Sequence, residues 1–276
     1  MDRHVARIET AAPPGRSAPT HANRMVVAPD DFARHSPFLM MAEDWFAPPA
    51  GFPTHPHRGM QTVTLVLEGS LEHRDHTGAH GMLGVGDVQW MTAGKGVLHS
   101  EMPGPDGVHS LQLWLNLPAA LKMSPARYAD QRADSAHRAI GEGWEVVVYA
   151  GRQGGVERPH GSDHPMGLAS VRVQPGASCA LEVPASWRAF LYVVEGSGRV
   201  GAEGAGIEAG QVAWFDPSAE DGPDDTIVLT AETPLHAVLF CGPPIDEPVV
   251  AYGPFVMTTQ DEIRQAFSDY QRGELV

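Results

Sequence analysis

Residues 52–70 read FPTHPHRGMQTVTLVLEGS, and His55 and His57 flank a single proline just ahead of a β-branched run. A second pair, His99 and Glu101, stands in AGKGVLHSEMPG, again with one residue between its members. In an extended segment the side chains of residues i and i+2 point to the same face. Each pair therefore presents both groups to one side. Two such strands lining one barrel would bring three imidazoles and a carboxylate onto a single ion. That donor set suits a first-row divalent metal, and a six-coordinate ion held by four protein groups keeps two adjacent positions open for substrate and dioxygen. A closed structural zinc site is the alternative, because three histidines and one carboxylate can fill a tetrahedron. The open site is preferred, since a chain long enough for two cores hardly needs a metal staple. With 14 histidines in 276 residues, roughly one His-x-His triplet arises by chance, so the surrounding elements must carry the assignment.

Composition narrows the setting. The chain carries 34 acidic and 19 basic residues, a net charge of −15. Nucleic-acid phosphates and anionic membrane surfaces repel such a chain unless its basic groups cluster, and none do. Direct nucleic-acid binding and membrane association are disfavoured, while contact with another protein stays open. No run approaches the roughly 18 apolar residues of a membrane span, and the first 24 residues hold no apolar leader core. A soluble, cytoplasmic monomer is expected. Cys179 and Cys241 form no disulfide framework or zinc motif and read as small buried hydrophobes.

The elements that must position the two pairs read as strands. Residues 1–24, rich in Ala, Pro and Arg, read as a mobile tail. Residues 25–118 show short alternating strands punctuated by glycine. Residues 119–140 read as a polar linker, and the strand pattern returns over 141–245. In the last segment, 246–276, Thr259 is placed to cap a helix. Asp261 and Glu262 lie in its first turn, and Ile263, Ala266, Phe267 and Tyr270 form a stripe for core packing.

An internal repeat sets the architecture. LVLEGS at 65–70 matches YVVEGS at 192–197, and GDVQW at 86–90 matches GQVAW at 210–214. Two homologous all-β domains in tandem follow. The second copy also serves as a control. Glu182 and Pro184 fall opposite His55 and His57, and Pro223 and Asp225 fall opposite His99 and Glu101. The scaffold therefore does not demand the four candidate ligands. Gln61 could reach the site as a neutral hydrogen-bonding group, with a plain strand position as the equal alternative. His73, His76 and His80 are expected in a solvated hairpin. His160, His164 and His236 lack a second ligand on their face.

The runs GFPTHPHRGMQTVTLVLEGSLEHRDHTG, GDVQWMTAGKGVLHSEMP and LQLWLNLP, with the ending YGPFVMTTQDEIRQAFSDYQRGEL, resemble the pirin family of the cupin superfamily. The resemblance covers the chain from about Met25 to its end and is looser in the second domain. It implies a bicupin: two antiparallel, jelly-roll-like β-barrels in tandem with a short C-terminal helix. Only the N-terminal barrel would hold metal, usually iron, on His55, His57, His99 and Glu101. Fe(II) is the expected ion, with Mn, Co, Ni, Cu or Zn as alternatives. Relatives commonly carry glutamate where Gln61 stands, so here Glu101 must supply the carboxylate alone.

The function implied is a quercetin 2,3-dioxygenase-like cleavage of a flavonol or related phenol by O₂, with Glu101 as general base. The contrasting implication is a non-enzymatic, iron-dependent regulator that binds a transcription factor or a metabolic enzyme.

Overall fold

The computed structural model describes residues 1–159, 161–219 and 222–276, so His160 lies outside the described residues. The chain forms two compact units: Pro13–Asp134 with Ser162–His164 and Ile245–Val276, and Met1–Ala12 with Ser135–Gly161 and Pro165–Pro244. Each terminus thus belongs to the unit built mainly from the other half of the chain.

The first 24 residues are not a tail. β1 (Arg7–Thr10) is an edge strand of the second unit, while β2 (Gly15–Ala18) and β3 (His21–Val27) pair at an edge of the first. Edge strands are held by their backbone ladder and need few apolar side chains, so composition alone misread them.

The first unit continues through the short helix α1 (Phe32–His35), β4 (Phe38–Phe46), β5 (Phe52–His57), β6 (Met60–Asp75), β7 (His80–Leu83), β8 (Val88–Thr92), β9 (Val97–Asn116) and β10 (Arg127–Gln131). Its sheet runs β10-β8-β6-β9-β4-β3-β2, with β5 added to β9 and β7 to β6, all antiparallel. β6 and β9 span 16 and 20 residues and pair twice. Met60 to Gly69 lies against Asn116 to Val108, and Leu71 to Asp75 lies against Pro103 to His99. Between these arms both strands bend. A Cβ on Gly69 would stand 2.1 Å from the carbonyl oxygen of Gly107, so glycine with φ of 71° is required there. On the upper arms Val63, Leu65, Leu111, Leu113 and Leu115 are buried on one face. Thr62, Thr64, Gln112 and Trp114 alternate with them and take the opposite face.

The second unit holds β11 (His137–Gly141), β12 (Trp144–Gln153), β13 (Val156–Arg158), β14 (Gly167–Val173), β15 (Ser178–Val183), β16 (Arg188–Glu195), β17 (Ser197–Val200), β18 (Ala205–Glu208), β19 (Gln211–Phe215), β20 (Asp225–Ala231) and β21 (Leu235–Gly242). One sheet runs β1-β19-β16-β21-β14-β12-β11 with β13 on β12, and a second runs β15-β20-β17-β18. Val146, Val171, Leu191 and Leu239 of the first pack with Leu181, Val200, Ile227 and Leu229 of the second in one core. This is the sheet-on-sheet packing that the alternating strands predict. The repeat superposes on the structure: Trp90 and Trp214 are both buried, on β8 against β6 and on β19 against β16. The segment read as a linker contributes a strand to each unit, because β10 pairs with β8 and β11 with β12.

The chain then returns to the first unit through β22 (Val250–Tyr252), β23 (Phe255–Met257) and α2 (Gln260–Arg272). Thr259 and Glu262 form the capping box that the sequence predicts, and Ile263 and Ala266 are buried. Tyr270, assigned to the same apolar stripe, is 42% exposed and rims it. This segment braces the loop that follows His57. The Arg58 guanidinium donates to Asp269 at 2.6 Å and to the carbonyl of Lys95. Buried Lys122 donates to the carbonyls of Gly59 and Val256 and to Asn116 Oδ1 at 2.9, 3.2 and 2.7 Å. Gly59 has φ of 79°, and a Cβ there would stand 2.0 Å from the Val256 carbonyl oxygen. Replacing Gly59 with Ala should therefore cost more than about 1 kcal/mol of stability, read as a lowered unfolding midpoint in denaturant. An unchanged midpoint would show that the brace yields freely.

Candidate metal centre

β5 adds to the lower arm of β9 with His55 opposite His99, and this pairing builds the site. His57, two residues on, shares the face of His55. The ring centroids stand 4.9 Å apart for His55 and His57, 4.3 Å for His55 and His99, and 5.0 Å for His57 and His99. One ring nitrogen from each falls within 4.8 Å of the others, the one group of metal-donor side chains of this kind among the described residues. His57 and His99 are 2% and 1% exposed, while His55 faces partly outward.

The ring protons are arranged for ligation. His55 Nδ1 lies 2.9 Å from the carbonyl of Pro53, which can only accept, so Nδ1 carries the proton and Nε2 keeps its lone pair. Nε2 of His57 and Nε2 of His99 are buried without a hydrogen-bond partner among the described residues. Buried polar atoms are normally satisfied, and orphans converging on one point mark a place for an ion. Burial holds all three imidazoles below their usual proton affinity, His57 down to about 3. Neutral imidazoles are the form that ligates. The donor set fits a divalent metal.

Glu101 lies on the same arm two residues beyond His99 and is 2% exposed. Its carboxylate is outside the imidazole group and is held instead by Gln112, whose Nε2 donates to both oxygens at 2.9 Å. Trp114 Nε1 donates to Gln112 Oε1 at 3.3 Å and so fixes which end of the amide faces Glu101. Burial, with the nearby Asp44 charge adding to it, pushes the Glu101 carboxyl up to about 7 against the pull of Gln112. The Trp114 indole also stands edge-on to His57, with centroids 5.1 Å apart. Gln112 and Trp114 escaped notice in the sequence, although their i, i+2 spacing in LQLWLN is the same signal that exposed the ligand pairs.

His73 is a correction. It is fully buried, and its Nε2 lies 3.1 Å from His99 Nδ1, although a solvated hairpin was expected there. The reason is that β6 runs unbroken to Asp75, so Leu71 and His73 continue the inward face opposite β9 and the turn begins only after them. His76 and His80 are exposed as expected. A His99 that bound an ion through Nε2 would keep its proton on Nδ1, donate it to His73 and so have its ring oriented. Gln61 is fully buried, and its Oε1 accepts from Ser162 Oγ. His164 sits beside that contact, its backbone N–H donating to Ser162 Oγ at 3.1 Å. His236 bonds Ser170 Oγ at 2.8 Å. Both cysteines are buried, and burial pushes each thiol up to about 12.

Comparison with known proteins agrees with this layout. The family model described as Pirin matches residues 19–115, and that of the pirin C-terminal cupin domain matches residues 168–276. Pirin-like protein 2 of Arabidopsis thaliana is 44% identical over 245 residues, covering 86% of this chain and 75% of its own. A crystal structure of quercetin 2,3-dioxygenase from Acinetobacter baumannii superposes with a TM-score of 0.88 at 30% identity, covering 100% of this chain and 98% of that one. A bacterial pirin from Escherichia coli, crystallised in complex with nickel(II), shares the fold with a TM-score of 0.67 at 21% identity, covering 87% of this chain and 100% of its own. Two family matches that divide where the internal repeat divides, and a relative of this identity along most of the length, place the chain in the pirin family of bicupins.

Proposed function

We propose that this chain is a metal-dependent dioxygenase of the quercetin 2,3-dioxygenase type, acting on a flavonol or a related phenol. Fe(II) is the ion we assign, with His55, His57, His99 and Glu101 as its ligands. One observation carries the reading: ring nitrogens of His55, His57 and His99 converge within 4.8 Å of one another, and buried Glu101, two residues from His99 on the same strand, has its carboxylate held by Gln112. A carboxylate steadied by Gln112 on the strand that carries His99 can take a proton from a phenol. The likeness to a quercetin 2,3-dioxygenase along the whole chain supports it.

When bound, the ion supplies Lewis-acid and one-electron chemistry towards the substrate and O₂. The side chains do the rest. Glu101 accepts the proton of the flavonol 3-hydroxyl. Gln112, donating to both Glu101 oxygens, steadies that carboxylate in its ionised form. A cavity of about 290 Å³ adjoins Trp114, with Phe32, Leu39, Met40 and Tyr252 among its walls. Trp114 is the wall this cavity shares with the histidine group, through its edge against His57, and the apolar walls suit a flat ring system. Gln61, tied to Ser162, offers no second carboxylate, so the acid–base work falls to Glu101 alone. The Arabidopsis relative carries the name pirin without an activity, which favours a second reading as a non-enzymatic iron-dependent regulator.

The deciding experiment is oxygen uptake by the iron-loaded protein with quercetin, beside metal-free protein. Iron-dependent uptake with release of carbon monoxide is expected. No uptake with iron confirmed in the site would sink the dioxygenase reading and leave the regulatory one.

Two variants test the residues. His57→Ala should lose most bound iron by elemental analysis while the second unit stays folded, and full iron content would overturn the coordination assigned here. At about pH 6 Glu101, pushed up to about 7 by burial, holds its proton, so metal uptake by metal-free protein should release that proton. Calorimetry in buffers of different ionisation enthalpy reads that proton. Glu101→Gln should abolish the release and lower turnover by about a hundredfold or more; a release that persists would assign the proton elsewhere.

A further inference from the structure

The second barrel has lost the ligands but not the space. Superposing the repeats by sequence sets Glu182, Pro184 and Pro223 at the positions of His55, His57 and His99. All three line one cavity of about 550 Å³ at the ends of β12, β15 and β21. Two prolines there offer no donor atom to a metal, so any occupant is held otherwise.

The cavity is furnished for a different ligand. Trp187 and the two proline rings give flat apolar walls. Across from them Arg152 bridges two carboxylates, its Nε donating to Glu182 at 2.9 Å and its Nη2 to Asp224 at 2.7 Å. The Glu182 carboxylate is further fixed by the Gly154 N–H at 3.1 Å, and buried Gln153 locks the Glu182 backbone from both sides at 2.8 Å. Gly167 packs directly against Cys241 in the lining, where a Cβ would meet Cys241 Sγ at 2.5 Å.

The chemistry of the lining selects the ligand. A guanidinium has five N–H donors and a carboxylate about four acceptor sites, so this bridge leaves donors and acceptors free side by side. Hydroxyl groups, which both donate and accept, match that array. With Glu157 also on the rim, the lining carries more negative than positive charge and repels anions. A cation would have to displace Arg152 from both carboxylates. An aromatic wall beside a hydroxyl-matched array suits a ring presenting C–H or π faces.

We propose that this cavity of the metal-free barrel is a second binding site, taking a small, neutral, hydroxyl-rich ring compound stacked on Trp187 and hydrogen-bonded to Arg152, Glu182 and Asp224. Sugars and polyphenols share that chemistry.

The test titrates methyl α-glucopyranoside and, separately, resorcinol into the metal-loaded protein, read by calorimetry. Saturable binding of either probe is expected, and the probe that binds identifies the source. Glu182→Gln and Arg152→Gln, both at partly exposed positions, should each weaken it by about tenfold or more. Trp187→Leu should do the same, with unfolding midpoints recorded to show that each variant folds. Absence of saturable binding by both probes would overturn the proposal. So would phenol binding that the variants leave unchanged, since it would then belong to the metal-bearing barrel. The result is independent of turnover, so its failure leaves the dioxygenase reading standing.

Discussion

The bend shared by β6 and β9 is the constraint from which the metal centre follows. Both strands outrun what one flat sheet accommodates, and they stay paired only by folding over together where Gly69 meets the backbone of Gly107. The upper arms carry the apolar face of the unit. The lower arm of β9 is thereby carried to where β5 can add to it, and His55 comes opposite His99. Gln112 and Trp114, above the bend, reach Glu101 and His57, so groups distant along one strand meet across the fold.

The electrostatics follow from the burial that this folding imposes. Three imidazoles and a carboxylic acid lie in a space that disfavours every charge, so each is pushed towards its neutral form. For the histidines that is the ligating form. For Glu101 it is the reverse, and Gln112 supplies the hydrogen bonds that make ionisation affordable. The unpartnered ring nitrogens offer lone pairs that offset, for a divalent cation, the cost that burial places on its charge.

Much of this was legible in the chain because it rests on period-two alternation and on glycine. The three clustered histidines, the repeated Glu-Gly-Ser hairpin, the paired tryptophans and the capped helix are all local signals. What escaped depends on where a strand stops. His73 reads as turn in the sequence because Arg74, Asp75 and Thr77 are polar, yet the ladder to β9 carries β6 through Asp75. The first 24 residues read as a tail for the complementary reason: edge strands borrow their order from neighbours far along the chain, as β1 does from β19. Long-range pairing leaves no local trace.

The interleaved path of the chain bears on how the protein is made. Residues Ile245–Val276 complete the unit that begins at Pro13, and through Asp269 and Val256 they hold the loop beside His57. A ribosome delivers them after the other unit. During synthesis the unit that holds the histidine group must wait, incompletely braced, while most of the other unit emerges, and vectorial folding cannot finish it domain by domain. The loop beside His57 gains its brace only once residues 245–276 have been made.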